Sequence, residues 1–211
     1  MQGVQGRHTC GRRTAVQQRR RCCEWRQRAV RPDHQRRSLR LEDYWSKLFP
    51  ELFQKTWTPL KEIKPFDPKN PPACGDQSTE GYALFYCPAD DYIGFDTVGA
   101  MPSFYERGGD FAVAALLATQ YGIAGESKAG EETDGEDASL RADCFAGGWT
   151  ASVLLGNRGD SSSYLISPGD LDEAIGALLL FRGDDDAERQ GSGYKRVQAY
   201  RNGVVNGAQA C

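Results

Sequence analysis

The chain has 211 residues, 26 Lys and Arg against 29 Asp and Glu, and a net charge of −3. Its length suits one domain with a tail, and no run approaches the roughly 18 apolar residues of a membrane-crossing helix. The charge is lopsided: residues 1–40 hold twelve Arg, no Lys and two acids, whereas 41–211 hold 27 acids against seven Lys and seven Arg. An acidic domain lacks the basic footprint of a nucleic-acid binder, so nucleic acid is excluded as its partner.

Residues 1–40 have no apolar periodicity and a large like-charge excess. They read as a disordered or spurious segment that adds nothing to the fold. No charged start followed by an apolar run is present, so no signal peptide is legible in the sequence as given. The folded domain is expected over 41–211. Residues 41–57 read as an amphipathic helix with Tyr44, Trp45, Leu48, Leu52 and Phe53 as its stripe, kinked or divided at Pro50. Residues 58–72 contain five prolines and read as an extended segment wrapping the surface. Ala83–Tyr86 and Tyr92–Asp96 flank Pro88-Ala89-Asp90-Asp91, which spells a β-hairpin. Residues 98–107 form a short helix.

Gly109–Ala124 is apolar nearly all round, so it reads as a central buried helix. Gly125–Asp137 is Gly-rich and acidic. A calcium loop of the EF-hand type needs acids at alternating positions ahead of its glycine, and this order does not match. The segment reads as a solvated loop. Ala138–Leu155 is a second core helix, with Ala142, Ala146 and Gly147 permitting close helix approach. Residues 156–163 and 184–186 read as loops. Two Arg-Gly-Asp triplets, one beginning at Arg158 and one at Arg182, are ordinary loop composition. Ser167–Phe181 is a third helix with Pro168 in its first turn. Gly191–Val205 is the last, with Tyr194, Val197, Tyr200 and Val204 on one face.

The two core helices carry a resemblance. The first keeps Gly109, Asp110, Phe111, Ala112, Ala114, Ala118 and Gly122. The second keeps Leu140, Ala142, Asp143, Cys144, Phe145, Ala146, Gly147 and Trp149. These resemble the G-D-F-A-x-A-x-x-x-A-H-E-x-G-H and E-L-Q-A-D-C-F-A-G-x-W helices of the bacterial neutral zinc metallopeptidases, a zincin-like family. The likeness begins near residue 58 and runs to Cys211. It implies a mostly helical α+β fold with a zincin-like core, and a hairpin whose edge strand lies beside the active-site helix. It also implies a zinc site, but the chemical positions are replaced. The family's two histidines fall on Thr119 and Ile123, its glutamate on Gln120 and its third ligand on Ser139. At the last helix the family reads H-G-S-x-x-x-R-V. Gly191, Ser192, Arg196 and Val197 match there, and Gln190 replaces the histidine.

Two histidines four apart on a helix share a face and reach one ion, and the glutamate between them takes a proton from zinc-bound water. Hydroxyls at Thr119 and Ser139, an amide at Gln120 and the hydrocarbon of Ile123 do neither. The only histidines are His8 and His34, both in the basic head. No cofactor or metal is therefore expected, although the family would bind zinc. Ile123 is expected to pack into the space an ion would hold. Asp143 is a remnant of the outer shell that would steady a ligand imidazole. Buried, it needs a new donor: the Thr119 hydroxyl, or an arginine such as Arg107 or Arg196.

Seven cysteines are present, four of them in the domain. Without histidines nearby or any C-x-x-C spacing in the domain, they argue for two disulfides and an oxidising compartment, so an exported, cell-envelope or secreted protein. The expected pairs are Cys74–Cys87 and Cys144–Cys211. The reading is a catalytically inactive relative of the metallopeptidases with a structural or peptide-binding role, holding a peptide or an active paralogue. The rivals are a working hydrolase with a non-standard site, and a drifting product without a selected role.

Overall fold

Residues 40–156, 166, 169–181 and 187–211 are described by a computed structural model of the chain. The basic head lies outside them. So do the two Arg-Gly-Asp triplets, Ser167-Pro168 and most of the loops expected over 156–163 and 184–186.

Helix α1 spans Leu41–Phe53 and buries Leu41, Trp45, Leu48 and Phe49. Pro50 neither divides it nor ends it. The proline stands in the final turn, where the missing N–H removes a single helical bond. Gln54 then takes a left-handed conformation, its N–H bonding back to the Pro50 carbonyl. The helix therefore stops at Phe53 rather than near Trp57. Trp57 folds back to stack on Trp45, with ring centroids 5.5 Å apart, and donates its indole N–H to Glu42.

The Pro-rich segment is more than a surface wrap. Strand β1, Glu62–Phe66, pairs in parallel with β3, Tyr92–Asp96, and β2, Leu84–Cys87, pairs antiparallel with β3. The order is β1-β3-β2. Pro65 is compatible because β1 is an edge. Ile63 is buried in the main core, and Phe66, on the opposite face of the strand, is buried with its ring 5.9 Å from that of Phe85. The expected hairpin is present as β2–β3. β3 is the central strand, so β2 is the edge that lies against the helices.

Helix α2, Ala100–Ala129, is the axis of the fold. The short helix expected over 98–107 is its first half. The two halves meet at a kink at Gly109, with φ 79° and ψ −170°, a conformation open to glycine and strained for other residues. The Glu173 carboxylate fills the space a Cβ would need there, and accepts the Phe111 N–H at 3.2 Å. The second half is thus started by an acid from a neighbouring helix, at the end where the helix dipole favours one. From Phe111 to Gly122 every residue is buried, as the all-round apolar composition implies.

The acidic segment is shorter than its composition suggests. Helix α2 continues to Ala129 and α3, Gly135–Leu154, begins at once, so only residues 130–134 are loop. Gly125 misleads here, because it serves packing rather than a turn: a Cβ on it would lie 2.5 Å from the Trp45 ring. Helix α4 is Asp170–Leu180, α5 the single turn Ala187–Gln190, and α6 Gly193–Asn206. In α6 the buried residues are Arg196, Tyr200 and Gly203, whereas Tyr194 is 76% exposed. Of the expected face, Tyr200 is buried, Val204 packs against the core and Val197 is half-buried, so Tyr194 alone points to solvent; the closest approach to α3 runs through Gly203, and Arg196 pairs with its Asp143. Both expected disulfides are present, Cys74–Cys87 and Cys144–Cys211, with Cα separations of 5.5 and 5.6 Å. By loop closure each contributes roughly 3–4 kcal/mol, the longer loop more.

Candidate functional site

Helices α2 and α3 meet at the middle of α2, where a Cβ on Gly122 would lie 2.8 Å from the Ala142 Cα. Beyond that contact the helices border a groove of about 420 Å³. Thr119, Gln120 and Ile123 of α2 line it, facing Ser139, Ala142 and Asp143 of α3. Helical spacing places Thr119 and Ile123 on one face, one turn apart. The edge strand β2, the loop Gln77–Thr79, and Phe181, Arg189, Gln190 and Arg196 also line the groove. All four replaced positions, together with Asp143, are therefore brought into one cleft.

Thr119 and Gln120 are 4% and 6% exposed, whereas Ile123 and Ser139 are only half-buried. Ile123 thus lines the groove instead of filling it. The facing helix offers only the small Ser139 and Ala142 at this level, too short to close against it.

The Thr119 hydroxyl donates to the Leu116 carbonyl of its own helix at 2.8 Å and leaves Asp143 alone. Arg196 takes Asp143 instead. Its Nε and Nη2 donate to the two carboxylate oxygens at 2.7 and 2.9 Å, a bidentate pair with both side chains almost fully buried. Its Nη1 donates to the carbonyls of Leu178 and Phe181 and to Gln190 Oε1, at 2.7, 3.0 and 3.3 Å. Burial pushes the Asp143 carboxyl up and the guanidinium fork opposes that shift. One arginine so ties α3, α4, α5 and α6 behind the groove. Arg196→Met is expected to lower unfolding free energy by about 3–5 kcal/mol, because a buried carboxylate is left unpaired. Adding Asp143→Leu should recover much of that loss in the same denaturant titration. No recovery would mean the pair does not act as a unit.

Gln190 belongs to the same cleft, although the sequence reading left it outside the site. Its signal was the H-G-S match, in which it replaces a histidine. The loop Gln77–Thr79 and Tyr82 also line the groove, and no pattern in the sequence marked them.

Zinc requires imidazole, thiolate or carboxylate donors. The groove supplies hydroxyls, carboxamides and the guanidinium groups of Arg189 and Arg196, and both oxygens of its carboxylate are bonded to Arg196. Among the described residues no group of three His, Cys, Asp or Glu could hold a metal ion. The residues present do not fit the ion.

The family model described as "Putative neutral zinc metallopeptidase" matches residues 2–209. The chain belongs to this family. The match begins well ahead of residue 58, where the likeness was legible in the sequence, and takes in the basic head. The mostly helical α+β fold with its small sheet agrees with it. Among curated proteins, an uncharacterized protein of Mycobacterium bovis and uncharacterized proteins of two Mycobacterium tuberculosis strains are each 29% identical over 147 residues, covering 62% of this chain and 50% of theirs. The chain spans about half the length of the curated relatives it matches. No solved structure matches it. Among the described residues no helix is long and apolar enough to cross a membrane.

One turn beyond Ile123, Glu126 is 1% exposed. Its Oε1 accepts from Arg141 Nε at 2.6 Å, and its Oε2 has no partner among the described residues. Burial raises its pKa to about 7, against the pull of Arg141 and with a push from Glu131. The folded chain therefore holds a proton where the unfolded chain has lost it. Stability is expected to rise as pH falls through 7, and to level off below the ordinary glutamate range. Across that window one proton is worth about 1.4 kcal/mol per pH unit at most. Melting curves of Glu126→Gln should lack this rise. An unchanged pH profile would show that Glu126 titrates normally.

Proposed function

We propose that this chain is a non-catalytic member of its family that holds an extended peptide, from a partner protein or an active relative, in the groove between α2 and β2. The observation that carries this reading is chemical. Thr119, Gln120, Ile123, Ser139 and Gln190, where the family's motifs place its reactive side chains, share one open cleft and supply no metal ligand and no general base. The cleft itself is retained. Its edge strand supports a peptide ligand: Asp96 donates to the Ala83 carbonyl, so the antiparallel alternation turns the N–H and C=O of Leu84 and Tyr86 to the outer side. The two disulfides support export to an oxidising compartment.

The test is elemental analysis of the purified chain together with a peptidase assay. The expected result is no stoichiometric zinc and no cleavage. Zinc at about one ion per chain, removable by chelator with loss of cleavage, would overturn the reading.

A further inference from the structure

We infer that Gln120 is a ligand-reading residue: its carboxamide recognises an N–H donor and a C=O acceptor presented side by side by the bound chain. This rests on the groove holding a peptide. Gln120 is 6% exposed and lines the groove. Its single hydrogen bond among the described residues is a long one, Nε2 to Thr119 Oγ1 at 3.5 Å. That contact fixes the amide's orientation. The Thr119 proton is committed to the Leu116 carbonyl, so Oγ1 can only accept, and the Gln120 atom beside it must be the nitrogen. Oε1 then faces away from Thr119 without a partner. It is not sealed in, because the only wholly buried side-chain oxygen or nitrogen without a partner among the described residues is Glu126 Oε2. Gln120 therefore keeps an acceptor that is not sealed from the groove, and its second N–H has no partner among the described residues.

A carboxylate at this position would offer acceptors only. A glutamine offers one of each, which matches an amide-bearing group and leaves half its capacity unused with a carboxylate or an ammonium ion. Two sources have this chemistry. In an extended peptide the N–H and C=O of a single residue point the same way. In an Asn or Gln side chain they belong to one primary amide. The neighbouring edge strand favours the extended backbone.

The test follows the side-chain NH₂ resonances of Gln120 in the ¹⁵N-labelled full chain, without added metal. Each probe is titrated to its solubility. The probes are N-acetylalanine N′-methylamide, its analogue with an ester oxygen in place of the alanine N–H, and acetamide. The blocked alanine should shift the Gln120 resonances, and the ester should bind about fivefold more weakly, the loss of one hydrogen bond. Gln120→Leu should remove the response in the flanking backbone resonances. Equal binding of the ester overturns the inference, as does a shift with acetamide alone, which reassigns the site to side-chain amides. Shifts confined to β2, with Gln120 silent, also overturn it while leaving the peptide reading intact. Zinc content and cleavage do not enter this measurement, so the two readings fail separately.

Discussion

Replacing Gly203 by alanine should destabilise the domain by about 3 kcal/mol or more, at the upper end of what overpacking costs. Helices α3 and α6 touch backbone to backbone. A Cβ on Gly203 would stand 1.9 Å from the Cys144 carbonyl oxygen and 2.7 Å from the Gly148 nitrogen, and one on Gly147 would stand 2.0 Å from the Tyr200 carbonyl oxygen. Neither obstacle is a side chain that can rotate away. The helices would have to separate along a seam that also carries the Arg196–Asp143 pair and the buried Thr150–Tyr200 hydroxyl contact at 2.7 Å. For a domain of this size the loss corresponds to a fall in Tm of roughly 10 °C. Gly176 is the control. It lies within α4, and an added Cβ would meet no atom within 4 Å. Gly176→Ala should stabilise by about 0.5–1 kcal/mol through helix propensity. Calorimetry of the two variants decides the matter, and a Gly203→Ala variant that melts with the parent would refute the close crossing.

The variant Thr119→His, Gln120→Glu, Ile123→His, Ser139→Glu should acquire zinc at about one ion per chain. The four positions already face one cleft from two packed helices, and the first and third are one turn apart on α2. Zinc in hundredfold excess over its Kd should then raise stability by about 2.7 kcal/mol, seen as a metal-dependent rise in Tm that the parent chain lacks. Asp143 will not assist the new ligands, because Arg196 holds both its oxygens. A variant that folds yet takes up no metal would mean that α2 and α3 do not present these positions as the family motif requires.

The sequence by itself determined the two core helices, the hairpin and the presence of two disulfides among the four domain cysteines. Each rests on a local or compositional signal. A helix buried on all sides must be apolar on all sides, as from Phe111 to Gly122, and a hairpin needs two β-type runs about a turn. The family motif named the positions that line the cleft, because helical spacing alone places Thr119 and Ile123 on one face. Tertiary structure decided the rest. Glycine has several uses that composition cannot separate. Gly109 kinks a helix, Gly125 admits the Trp45 ring and Gly203 admits another backbone, so the two ends of α2 were misread and the glycine and arginine on the buried side of α6 were missed. β1 was hidden because its partner, β3, lies some thirty residues further along the chain, and proline is tolerated only because the strand is an edge. The partner of Asp143 was left between Thr119 and an arginine. The fold chose Arg196, 53 residues away, because a buried carboxylate is best satisfied by a two-pronged cation, and the Thr119 hydroxyl already had a carbonyl within its own helix. Whether the cleft at these positions closes or stays open was also a tertiary outcome, set by the small side chains that α3 places opposite Ile123.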